Sequence, residues 1–275
     1  MPAPNTITVD KLSRLVALPG SPVVIDVRSD PKEAIPGSLI RNADDVGLRP
    51  LLDASAFVVV DARGEGPAAA AAAFLRSEGL AAETLEGGFA TWAEAGTPTV
   101  SFAHLPPRHA DGRTWWVTRS RPKVDRIACP WLIRRFVDPE ARFMFAAPAE
   151  VSAVARQHQA EPFDVSDDGV FWSHRGERCT FDVMVEAFGL SDHEPLARLA
   201  AIVRGADTDR LDVAPEAAGL LAISLGLSRQ HSEDHVQLEA GMAIYDALYR
   251  WCRDAQGEKH NWSSHQPAKR TEASA

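Results

Sequence analysis

Two histidines one helical turn apart, His231 and His235, are the pair whose spacing points most directly to chemistry. At i and i+4 on a helix, imidazoles share a face and can chelate one metal ion. His231, His235, Leu238, Met242, Tyr245, Tyr249 and Cys252 follow one another at steps of four and three. That stripe predicts a helix from His231 whose lower five members face a core, which turns both histidines inward. Asp234 is spaced to orient an imidazole. Upstream, His174, Glu177 and Cys179 fall in a turn-like HRGERC segment, ahead of a helix with Phe181, Met184, Val185 and Phe188 on its apolar face. Asp207 and Asp209 follow Gly205. The candidate ligands are therefore His174, Glu177, Asp207, His231 and His235, with Asp234 behind them. Such a His/carboxylate set suits iron, manganese or zinc. The competing reading is structural: hydrogen-bonded core histidines, and aspartates that cap and turn.

A second chemistry is anion binding. Residues 115–136 (WWVTRSRPKVDRIACPWLIRRF) set Arg119, Arg121, Lys123, Arg126, Arg134 and Arg135 against a single acid, Asp125, in a chain of formal charge −9. Guanidinium forks match tetrahedral oxyanions, so Arg119, Arg121, Lys123 and Arg126 are the candidate anion-binding residues. The alternative is a solvated basic face around a buried Trp131-Leu132-Ile133 anchor. Cys129 would be activated by Arg126 only if both were exposed. In the first hundred residues, the loop Ala62-Arg63-Gly64-Glu65-Gly66 ends an FVVV run and opens an alanine-rich helix, so its N–H groups can face an anion.

These residues need elements to hold them. PVVIDV (22–27) and FVVV (57–60) have the β-branched character of buried parallel strands, and PAAAAAAFLRSEG (67–79) reads as a helix opened by proline and closed by glycine. That is an α/β domain over 5–100. Residues 101–114, rich in proline and polar residues, read as a linker. Residues 115–253 read as a mainly helical α+β domain, with helices over Pro195–Val203 and from Pro215 through Leu227. Residues 254–275, including His260 and His265, lose apolar rhythm and read as a disordered tail. A length of 275 residues, with 45% hydrophobic and 24% charged, predicts two soluble domains. Three cysteines, no secretory pattern and no uncharged run long enough to span a bilayer predict a cytoplasmic protein with no membrane partner. The acidic balance argues against DNA binding.

The segments VVIDVRSDPKEAIPGSLI and LEGGFATWAEAGTPTV resemble the opening and closing signatures of a rhodanese domain. In that family a cysteine in the loop after the central strand carries a persulfide. The matching position is read as Ala62, which implies a domain without sulfurtransferase activity, since covalent catalysis there needs a thiol. An active sulfurtransferase is the disfavoured alternative. Across 115–253, DRIACPWLIRRFVDPEARF, HRGERCTFD, APEAAGLLAISLGL and YDALYRWC resemble the ChrB-type chromate-resistance domain. The resemblance implies a role in chromate stress, with chromate or another small oxyanion as partner. It leaves two forms of that role open, a metal-dependent redox enzyme and a chromate-sensing transcriptional regulator.

Overall fold

A computed structural model describes residues 5–43, 54, 56–167 and 169–258. β1 (Thr6–Ile7) leads into α1 (Val9–Ser13), where the Thr8 hydroxyl accepts from Lys11 N–H. There follow β2 (Val23–Asp26), β3 (Glu33–Ala34), β4 (Leu39–Ile40), β5 (Phe57–Val60), α2 (Gly66–Ser77), β6 (Ala82–Leu85), α3 (Gly88–Glu94) and β7 (Val100–Ser101). Five of these strands make one parallel sheet in the order β1-β6-β5-β2-β4. Strand side chains alternate between faces, and both faces are covered. Val58 and Val60 pack with Phe89 and Trp92, whereas Phe57 and Val59 pack with Ala68, Ala71, Ala72 and Leu75 of α2. Two-sided burial is why the FVVV run is apolar throughout.

The second half contains β8 (Trp115–Arg119), α4 (Asp125–Leu132), β9 (Arg142–Ala146), α5 (Val151–His158), β10 (Glu161–Pro162), α6 (Thr180–Ala187), α7 (Glu194–Asp207), α8 (Ala217–Gln230) and α9 (Asp234–Asp254). A three-stranded parallel sheet, β10-β8-β9, lies beside the helices. Pro130 lacks the N–H that α4 would need, and the helix loosens into a π turn over Ile133–Val137, closed by Asp138 N–H to Ile133 O at 2.7 Å. Trp131 is fully buried at the centre, ringed by Phe136, Phe181, Tyr245 and Tyr249, and its Nε1–H donates to Asp246 at 2.8 Å.

Three expectations change. The stripe from Leu238 to Cys252 is buried, but α9 begins at Asp234, so His231 precedes it. His231 instead closes α8 in an extended conformation, and the Arg121 guanidinium binds the carbonyls of Ser228, His231 and Ser232 in that turn. Residues 101–114 are an anchored strap rather than a free linker: Ser101 N–H donates to Phe188 O at 2.9 Å, Phe102 and Leu105 pack on the main core, and His104 stacks on Phe171. Ala17 and Val100 from the first half join that same core. The predicted tail begins inside α9, which runs to Asp254; His260 and His265 lie outside the described residues.

Candidate metal centre

His174 sits in the turn before α6, with its Nε2 facing three carboxylates. The distances are 3.5 Å to Asp125 Oδ2, 3.4 Å to Asp164 Oδ1 and 3.2 Å to Asp207 Oδ2. Asp125 opens α4 and is fully buried; Asp207 ends α7; Asp164 follows β10. Local contacts hold two of them. Asp125 accepts from the Thr180 and Phe181 N–H groups at 2.6 and 3.2 Å, which caps the start of α6. Asp164 is held by Arg119 at 3.0 Å and Arg126 at 3.2 Å. Its backbone is left-handed (φ +49°), and so is that of Val124 (φ +36°), beside Asp125; a β-branched residue there is strained.

Burial pushes the Asp125 carboxyl up to about 7, against the lowering hydrogen bond from His174. Hydrogen bonds to Asp125, Asp164 and Asp207 hold the His174 imidazolium up to about 12. Burial also opposes the charge of Asp164, yet His174 and the two arginines keep its carboxyl below the usual range. Three carboxylates are thus matched by two guanidiniums and one protonated imidazole. One nitrogen and two oxygens, from His174, Asp125 and Asp207, lie within 4.8 Å of one another and can each offer a ligand atom. Donors about 2.0–2.2 Å from a tetrahedral ion stand roughly 3.3–3.6 Å apart, close to the separations around Nε2.

The sequence-predicted ligands divide. His174 and Asp207 come together. Glu177 does not: its side chain is exposed and faces Arg210 at 3.6 Å. His231 lies in the α8–α9 turn, and exposed His235 meets Phe145 edge-on at 5.2 Å, because the helix starts too late to align the two. Asp234 accepts from Arg121 N–H at 2.9 Å rather than orienting an imidazole.

The predicted anion set is largely engaged as well: Arg119 and Arg126 bind Asp164, Arg121 binds carbonyls, and Lys123 is the one member whose side chain makes neither an ion pair nor a hydrogen bond among the described residues. Cys129, Cys179 and Cys252 are buried and free; burial pushes all three thiols up, so none is a ready thiolate. Asp125 and Asp164 escaped sequence reasoning. For Asp125 the trace was present, as the one acid inside a basic run.

In the first half, the loop after β5 converges on Asp61, not Ala62. Asp61 Oδ1 accepts from Arg63 N–H (3.0 Å), Gly64 N–H and Glu65 N–H (3.2 Å), and Oδ2 accepts from Ala68 N–H at 3.1 Å. The position at the centre of the loop's N–H groups is therefore one residue earlier than Ala62, the position read from the sequence. Neither residue carries a thiol. The cradle's anion is the protein's own carboxylate.

Residues 116–252 match the family model described as ChrB, C-terminal domain. The second half of the chain belongs to this family. The chain is 35% identical over 143 residues to Protein ChrB of Cupriavidus metallidurans, an alignment covering 52% of this chain and 42% of that protein. The match therefore spans about two fifths of that relative's length. The first half is a parallel sheet with helices on both faces and a strand-to-helix loop of N–H donors. It is similar to a rhodanese-related protein from Thermoplasma volcanium, with 26% identity, 35% of this chain and 97% of that one covered, and a TM-score of 0.31. It is also similar to a thiosulfate sulfurtransferase from Pseudomonas aeruginosa, with 26% identity, 36% and 20% coverage, and a TM-score of 0.33. No helix among the described residues is long and apolar enough to cross a membrane.

Proposed function

We propose that this chain is a chromate-resistance protein whose ChrB C-terminal domain holds one divalent metal ion on His174, Asp125 and Asp207, with Asp164 beside them. The observation that carries this is the approach of three carboxylates to a single imidazole nitrogen at 3.2–3.5 Å, one of them fully buried. Without an ion, a proton on His174 balances the cluster. A divalent ion in place of that proton leaves the site one positive charge in excess. That excess is carried by Arg119 and Arg126, which flank the site and favour an anionic ligand such as chromate. An all-nitrogen-and-oxygen donor set suits manganese, iron or zinc over soft-metal ions. The ion when bound supplies a Lewis-acid or redox centre. In the rhodanese-like half, Asp61 occupies the cradle where a sulfur carrier would need a thiol, so that half does not transfer sulfur.

The test is elemental analysis of untagged protein purified without chelator, alongside two variants. Wild type is expected to carry about one ion per chain, His174→Ala to lose it, and His231→Ala/His235→Ala to keep it. No stoichiometric metal in the wild type overturns the reading. Retention by His174→Ala overturns the ligand set.

A further inference from the structure

An open cleft of about 700 Å³ lies between the π turn, β8, β9 and the first turns of α9. It shares no residue with the His174 cluster. Its lining includes four arginines, Arg113, Arg134, Arg135 and Arg142, with His235, against two glutamates, Glu140 and Glu239. Most of these charges are already committed. Glu140 pairs with the buried Arg41, Arg134 with Glu239 at 2.6 Å, and Arg135 with Asp246 at 2.8 Å.

Two further cations, Arg113 and Arg142, share one acid, Asp111, which is not part of the cleft lining. Arg142 is half exposed, lies over the Trp115 ring at 5.4 Å, and approaches Asp111 only at 3.7 Å. The Arg113 guanidinium acts through space on the same Asp111 carboxyl, so one acid faces two cations, and Arg134 is held over Phe143 at 5.1 Å. Surplus guanidiniums on an aromatic wall, in a chain of formal charge −9, form a local exception to the sign of the whole.

We infer that this cleft binds a small organic phosphate carrying at least two negative charges. Arg113 and Arg142 are the residues that meet the phosphates, while Arg134 and Arg135 are pre-set by their carboxylate partners. Guanidinium forks match phosphate oxygens, which accounts for arginine rather than lysine at all four positions. The cleft falls within the roughly 300–1,000 Å³ range of small-molecule pockets, far more room than an inorganic ion needs.

The experiment is calorimetric titration of the full chain with inorganic pyrophosphate and, separately, ADP, at about 0.15 M salt. Both probes are expected to bind with a Kd below about 1 mM. Arg113→Ala/Arg142→Ala should weaken both about tenfold or more. Arg156→Ala, an exposed arginine on α5, should change neither. Tighter binding of ADP places the organic part against the Trp115–Phe143 wall, and equal binding assigns recognition to the phosphates; both support the site. Failure of both probes to bind, or equal binding by the double variant, overturns it. So does binding of a short DNA duplex when neither small probe binds. Unfolding curves of the double variant should match wild type, since both side chains sit at the cleft surface.

Discussion

His174 must lose a proton before it can hold a metal ion, and its three carboxylate neighbours set the cost. Its folded pKa, about 12, lies above the ordinary 6.5, so the imidazolium's contribution to stability is fully present below 6.5 and is lost progressively as pH rises from there through 12. Metal uptake therefore competes with a bound proton throughout the neutral range. Between pH 7 and 9, apparent metal affinity should rise about tenfold per pH unit, with proton release visible in buffers of different ionisation enthalpy. A flat profile would show that His174 is not a ligand. Asp61 allows a second test at this scale. Asp61→Ala leaves four N–H donors around an empty position and should cost about 2–4 kcal/mol in denaturant unfolding. An unchanged midpoint would mean that the loop does not depend on its carboxylate.

At the scale of elements, two glycines govern how closely pieces approach. Gly88, at φ +62°, starts α3 against the loop after β5, and a Cβ there would stand 2.4 Å from Gly64 N and 2.6 Å from Arg63 N. Gly88→Ala meets both backbone strain and a backbone clash, and should cost about 3 kcal/mol or more. Gly241 lets α9 cross α4, and its added Cβ would stand 2.6 Å from Ile127 Cγ2. Gly241→Ala should cost about 1–3 kcal/mol by overpacking. It should also weaken metal uptake, since the displaced helix carries Asp125. Adding Ile127→Val should recover part of the stability, and simple additivity of the two changes would refute the contact. Most of these elements were legible in advance. β5 and α2 follow from an apolar run and a Pro-to-Gly alanine helix, and the lower part of α9 follows from its buried stripe. The start of α9 was not, because Arg121 ends α8 and sets the next helix from more than 100 residues away in sequence.

For the whole molecule, the junction between halves is a packed interface. Gly37 N–H donates to Phe136 O at 2.7 Å, and Arg41 pairs with Glu140. His193 reports on this junction: its Nε2 lies 2.8 Å from the Tyr249 hydroxyl, in a small cavity also lined by Val16, Pro36 and Trp92 of the first half. Burial, reinforced by Arg253, pulls its pKa down to about 4 from 6.5. Neutral His193 thus contributes stability above pH 6.5 that is lost as pH falls toward 4. Melting temperature should fall across that window, and His193→Gln should flatten the fall; an identical acid slope in the variant would exclude His193 as its source. The sequence by itself determined the classes of both halves, the absence of a thiol from the loop after β5, and His174 and Asp207 as candidates, because strand alternation, helical periodicity and residue chemistry are local properties. Tertiary structure decided which carboxylates surround His174, that Asp61 fills the loop, and which arginines gather in the cleft around a shared acid. Those outcomes depend on contacts between residues far apart in the chain, and spacing along the sequence does not encode which distant partner neutralises a charge.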